Sequence, residues 1–499
     1  MWLVMLILVG CAKRPPASDA LVLASVPDAP LTRRVTLTLD RPGTAAVEVD
    51  DGMAVWTVTS DAVARRHELT LLGLPSDSKV TLVPVLDGTR GQPMVVRIPP
   101  VPGAPFIEVL ADSGPEDRSG WTLFNVEALG GGLPSGLAVL DEHLRLVHWL
   151  TVDPGFGDVQ IGPDGDLVGL AGGNIVRMDL CGRELARIGP AIGAVVPVDL
   201  PESLHHEVIP LDDGSFVALS AESRDVPAFP TSYARPDVLA PATIRDALVV
   251  HIAPDGRLLR RVSMADLLDT RRIGFDARSD REGGVFDWAH ANGIAIADDG
   301  TWLVSLRHQD AIVGVSQDDS LAFILSDPGG WVAPWTDVLI VPDDPAYHQH
   351  APAMDGNGRL VLFDNHNDGA TPYGETSRRP ALSRALAWDL DLEAGTAIRA
   401  WQSYETATGP LYADAVGDAD PLPGGTVLVT YGTLRNEEGL SPDDTPGPSW
   451  ARIVEVDPAT DAVHMDVRIT LPGADRGVRV YRAERIAPLT ERDAAAVCR

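Results

Sequence analysis

The chain has 499 residues, 45% of them hydrophobic and 22% charged, a soluble globular make-up and too much chain for one ordinary core. A formal net charge of −31, with no Lys/Arg cluster, excludes a nucleic-acid surface, although a locally positive site can still take an anion. With Gly 47 and Pro 41 and few helical periodicities, the composition points to an all-β fold.

Met1 to Leu8 is an apolar run that ends in Leu8-Val9-Gly10-Cys11, the pattern of a bacterial lipoprotein cleavage site. Residues 1–10 are therefore expected to be a signal peptide, Cys11 the lipidated residue and 11–20 a polar tether, although no Lys or Arg precedes the run. No later stretch approaches the ~18 apolar residues of a membrane span. The expectation is an exported chain, facing periplasm or cell exterior, whose membrane contact is its N-terminal lipid alone. An oxidising compartment permits pairing of Cys181 with Cys498, but nothing in the sequence fixes their geometry.

Residues 21–100 alternate apolar and polar in short runs such as Val35-Thr36-Leu37-Thr38-Leu39, separated by turns such as Asp50-Asp51-Gly52. This predicts a small β-sandwich, which resembles a fibronectin type III module at His67-Glu68-Leu69-Thr70-Leu71-Leu72-Gly73-Leu74. Pro99, Pro100, Pro102 and Pro105 mark a linker over 101–120.

Between 121 and 488 a repeat sets in. Outer hairpins are expected at 137–150, 175–188, 248–262, 312–325, 385–401 and 453–469. Inner hairpins turn at Asp164-Gly165, Asp213-Gly214, Asp299-Gly300, Asn357-Gly358 and Gly424-Gly425. An inner plus an outer hairpin makes one four-stranded blade, so the repeat predicts a six-bladed β-propeller. The run Val478 to Ile486 would close the ring with the first blade, leaving 489–499 as a tail. Residues 221–247 read as a blade insertion over the channel mouth.

The repeat also places candidate chemistry. His206 precedes Gly214 by eight residues and His350 precedes Gly358 by eight. His290 precedes Gly300 by ten, which calls for a bulge. Innermost strands line the channel, so three successive blades present imidazoles at one rim. Counting forward across the antiparallel turns brings Arg307 beside His290 and Asn365 beside His350, with Asn292 two residues beyond His290. Three imidazoles can hold zinc, but a guanidinium among them favours a tetrahedral oxyanion, and no metal is expected. His205, His308, His348 and His366 adjoin these positions and read equally as supporting or loop residues.

The stretches Asp287-Trp288-Ala289-His290-Ala291-Asn292-Gly293-Ile294 and Val304-Ser305-Leu306-Arg307-His308-Gln309-Asp310 resemble the bacterial aryl-sulfate sulfotransferase family. So do Gln349-His350, Leu362-Phe363-Asp364-Asn365, His205-His206-Glu207 and Gly417-Asp418-Ala419-Asp420-Pro421-Leu422-Pro423. The resemblance implies a transferase that moves a sulfuryl group from a phenolic sulfate donor to a phenol acceptor, without nucleotide cofactor, through a sulfated histidine. It implies that His350 is the nucleophile, while Arg307, Asn292, His290 and His206 hold the sulfate oxygens and manage the phenolic proton. Asn365 joins the substrate-binding set by its place beside His350. The rival readings are a non-catalytic ligand- or protein-binding propeller and a metal-dependent lactonase or hydrolase, the latter requiring an Asp/Glu/Asn cluster at the channel. No such cluster is legible at the repeat positions, and nothing in the sequence reports the oligomeric state.

Overall fold

Apolar residues at period two, buried on both faces, decide the architecture. In the strand Arg359–Asp364, Leu360 and Leu362 pack into one core while Val361 and Phe363 pack into the next. Such strands must be sandwiched between neighbouring sheets, and that is what the chain does. The computed structural model describes residues 18–118, 120–274, 281–282, 284–367, 382–403, 410–435, 447–491 and 498. The expected signal peptide, Cys11 and most of the tether and tail lie outside them.

The described chain is all-β apart from a few short turns of helix, with one N-terminal sheet followed by six more in succession. All six expected outer hairpins form, as do the five inner ones. Hydrophobic cores lie between consecutive sheets: first with second, second with third, and so on to the sixth. A further core joins Leu428, Ile453 and Met465 of the sixth sheet to Phe124 and Ala138 of the first, so the ring of sheets closes.

Closure uses both ends of the body. The strand Ala483–Ile486 pairs with Trp121–Ala128 and becomes the innermost strand of the first sheet, as the C-terminal run predicts. The stretch read as linker is not all linker. Phe106–Asp112 pairs with Ala462–Thr470 as the outer edge of the sixth sheet. No proline falls between Pro105 and Pro115, and the apolar run there can complete an otherwise open sheet edge.

The N-terminal strands form one hydrogen-bonded six-stranded sheet, with the long strands Arg33–Asp50 and Val55–Leu71 slipping register between Thr38 and Ala45. It shares its core with the first and sixth sheets and is tied to the first by the Arg145–Asp51 ion pair at 2.7 Å. Cys181 and Cys498 form a disulfide that pins the end of the chain to the second sheet. The expected insertion is a continuation of the third sheet, in which Phe216–Ser232 and Arg235–Ile252 pair far beyond the blade.

Candidate active site

Each innermost strand of the third, fourth and fifth sheets begins with a register slip against its hairpin partner: before Val208, between Ala291 and Gly293, and before Ala353. The slips rotate the chain, and His206, His290 and Ala351 adopt left-handed backbone at φ 61°, 49° and 49°. Such backbone costs a non-glycine residue ~1–2 kcal/mol, which the surrounding sheets must offset. The bulge inferred at His290 is thus one of three. Gly293 makes the crowding tolerable, because a Cβ there would lie 2.6 Å from Pro352 Cδ and 2.8 Å from Ala351 N.

The predicted residues come together. The rings of His206 and His290 lie 5.0 Å apart, edge to face. Arg307 follows the strand Trp302–Leu306, and its backbone N–H donates to the His290 carbonyl at 3.0 Å. His350 opens the strand His350–Met354 and interacts electrostatically with both Arg307 and His290.

Partners fix the protonation pattern. Asn365 Nδ2 donates to the carbonyls of Ala413 and Val416, both at 2.8 Å, so its Oδ1 faces His350 Nδ1 at 2.6 Å. An amide oxygen only accepts, hence His350 Nδ1 carries the proton and the ring's lone pair sits on Nε2. His290 Nδ1 donates to Asp287 Oδ2 at 2.6 Å. Arg307 donates to His308 Nε2 at 2.9 Å, and His308 Nδ1 in turn donates to the Asp287 carbonyl at 2.6 Å. His205 and His206 share one proton between their Nδ1 atoms, 2.8 Å apart.

Electrostatics favour neutral rings. Burial, then the positive charge of Arg307, pushes His350 well below the usual imidazole range. Burial and the neighbouring imidazoles do the same to His206, and burial brings His205 down to about 4. Burial alone would raise Asp287, but its bond to His290 and the attraction of His290, His308 and Arg245 together outweigh this and hold it at about 2. A cavity of about 240 Å³, lined by Glu202, His205, His206, Arg245, Asp287 and His290 among others, opens on these groups beneath the extended third sheet. Asp287, His290 and His308 are the described residues here that could hold a metal, although Arg307 already donates to His308.

The two residues expected to bind substrate, Asn292 and Asn365, also meet the chain itself. Asn292 is fully buried and donates to the Gln349 carbonyl at 2.7 Å, while Asn365 is fully buried against His350. Both act on the strand that carries His350. Reasoning from the sequence assigned nothing to Asp287, and left His205 and His308 undecided. The i, i+3 spacing of Asp287 and His290 was the available signal, since a bend between them lets carboxylate meet imidazole. His348 lies 3.4 Å from Asp310, and His366 bonds Asp364 at 3.0 Å.

The sequence profile of the arylsulfotransferase family matches residues 138–482. The chain belongs to the arylsulfotransferase family. Membership implies a sulfotransferase acting between aryl sulfates and phenols. No curated protein sequence matches the chain. Solved structures with similarity include a Bacteroides caccae protein at 13% identity, covering 70% of this chain and 94% of that one at TM-score 0.41. A Staphylococcus aureus virginiamycin B lyase solved with quinupristin has 9% identity over 74% of this chain and 100% of that one, at TM-score 0.32. A Xanthomonas campestris gluconolactonase has 13% identity over 74% and 90%, at TM-score 0.34. Likeness at these values carries no argument about activity.

Proposed function

We propose that the chain is an aryl-sulfate sulfotransferase that works in two half-reactions through a sulfohistidine on His350, without nucleotide cofactor. In the same reading the six sheets are the blades of a β-propeller behind a fibronectin type III-like module, and the chain is exported and held to a bacterial membrane by lipid on Cys11. No helix among the described residues is long and apolar enough to cross a membrane.

The observation that carries the mechanism is the Asn365–His350 bond, which leaves the lone pair on Nε2 of a ring kept neutral beside Arg307. In the first half-reaction Nε2 attacks sulfur, the sulfur–aryl oxygen bond breaks, and the departing oxygen takes a proton from the His290/His206 pair. In the second, the acceptor phenol returns that proton and its oxygen attacks sulfur, breaking the nitrogen–sulfur bond and restoring His350. A phenol of pKa ~10 needs this proton management in both directions. Asp287 stabilises a protonated His290, and the Arg307 fork, steadied by His308, suits the equatorial oxygens of a loose transition state.

The test is release of a coloured phenol from its sulfate ester. Turnover should rise with an added phenol, donor alone should leave one sulfate per chain, and that label should map to His350 at alkaline pH. A label on another residue, or transfer that needs both substrates bound together, overturns the proposal.

A further inference from the structure

Beyond the histidines the channel turns acidic. Asp418 and Asp420 are the first and third residues of the sixth sheet's innermost strand, Asp418–Pro421, so they leave the same face. Glu484 lies on the first sheet's innermost strand, Ala483–Ile486. One carboxylate oxygen from each of the three lies within 4.8 Å of the others. Asp418 is only 1% exposed. Its Oδ1 takes the N–H of Ala419 at 3.0 Å, while its Oδ2 and that of Asp420 are enclosed and meet no donor among the described residues.

The positive charge that acts on all three is Arg482, whose Nε and Nη2 are themselves buried without a hydrogen-bond partner among the described residues. Five carboxyls, those of Asp158, Glu207, Asp418, Asp420 and Glu484, act on the one guanidinium of Arg482. Arg482 is turned toward Glu207, at 2.5 Å, and Asp158, at 3.7 Å. A buried carboxylate oxygen without a partner costs several kcal/mol, about what a hydrogen bond or a cation would recover. A cavity of about 560 Å³ reaches Asp420 and Glu484 past Met354, Pro421 and Ile486. Met354, Pro421 and Ile486 are the last residues of their innermost strands, whereas the histidines stand at the strand starts. The acids are therefore approached from the opposite mouth.

We infer that Asp418, Asp420 and Glu484 form a binding site for a hard divalent cation, calcium in preference to magnesium, entered from the mouth opposite the histidines. All the donors are oxygens, with no imidazole or thiolate to suit zinc. Three carboxylates that can each bind through one or two oxygens match the variable coordination of calcium better than the strict octahedron of magnesium. The ion would sit between the sixth and first sheets, where the ring closes. The inference is independent of the sulfuryl-transfer reading.

The test is equilibrium dialysis of the full chain, stripped with chelator, against calcium chloride and magnesium chloride. One calcium per chain is expected, with magnesium at least ~10-fold weaker. Calcium should also raise Tm, by an amount that grows with its concentration. Asp420→Asn and Glu484→Gln should each weaken calcium binding at least ~10-fold. Absence of saturable calcium binding by the unmodified chain overturns the site whether or not the variants fold. Undiminished affinity in both folded variants overturns the ligand assignment, and magnesium binding as tight as calcium overturns the choice of ion.

Discussion

Two groups of ionisable side chains stand on two sides of the ring of sheets, and they are built differently. The third, fourth and fifth sheets bring His206, His290, Arg307 and His350 to one mouth, and each of these meets a built partner: His205, Asp287, His308 and Asn365. The sixth and first sheets bring Asp418, Asp420 and Glu484 together, where two carboxylate oxygens meet no donor among the described residues. On the histidine side, tautomer and charge are set before a substrate arrives, as preorganised catalysis requires. On the acid side, among the described residues, five carboxyls act on the one guanidinium of Arg482, and this is what the proposed cation would balance. The difference lies in what faces each ionisable group, since the strands that carry them are alike.

The sharpest way to separate the two sides is His350→Asn. Loss of the attacking nitrogen should lower turnover by on the order of 10⁴-fold or more and abolish the sulfated intermediate, while calcium binding stays unchanged. Retained turnover would remove His350 from the mechanism, and lost calcium binding would show the two sides to be one unit. Arg307→Lys comes next. It keeps the charge and loses the fork that His308 orients, so transfer should slow by ~10²–10³-fold with the intermediate still detectable by mass spectrometry. A rate close to the parent's would show that charge alone suffices.

Legibility followed the range of the interactions. The hairpins were readable because each is closed by a local turn, such as Asp164-Gly165 or Asp299-Gly300, and because period-two alternation repeats between the turns. The convergence of His206, His290, Arg307 and His350 followed from counting along those hairpins. What escaped depends on side-chain direction or on contacts across the ring. His308 could be read as a loop residue until its two nitrogens were seen bridging Arg307 and the Asp287 carbonyl. The Arg482–Glu207 pair spans 275 residues, and the Cys181–Cys498 bridge spans 317. Phe106–Asp112 looked like linker because its partner strand, Ala462–Thr470, lies at the far end of the chain. The acidic cluster had no repeat signature, since its members come from different positions of two different sheets.

Asp287→Asn tests whether the carboxylate partner matters beyond holding a ring in place. Asp287 is held at about 2, so it is ionised throughout the neutral range and stabilises His290 when that ring carries a proton. The variant should transfer sulfate ~10²-fold more slowly from esters of weakly acidic phenols, and nearly normally from esters of strongly acidic ones. A uniform loss across leaving groups would assign Asp287 to positioning alone.

The smallest expected effect concerns an imidazole with no built partner. His148 lies in the outer hairpin of the first sheet, 1% exposed, with neither ring nitrogen hydrogen-bonded. Burial holds it down at about 4, against an unfolded value of 6.5. Between these values the unfolded chain takes up a proton that the folded chain refuses. The stabilisation from keeping His148 neutral is thus complete above pH ~6.5 and drains away as pH falls toward ~4. His148→Leu, close in volume, removes this term along with two unsatisfied nitrogens. Urea unfolding should find the variant's advantage over the parent larger at pH 5 than at pH 8 by ~2 kcal/mol. An advantage independent of pH would mean that His148 already protonates in the folded chain. Burial alone would then not keep an imidazole neutral in this fold, and the neutrality of His205, His206 and His350 would rest on their partners.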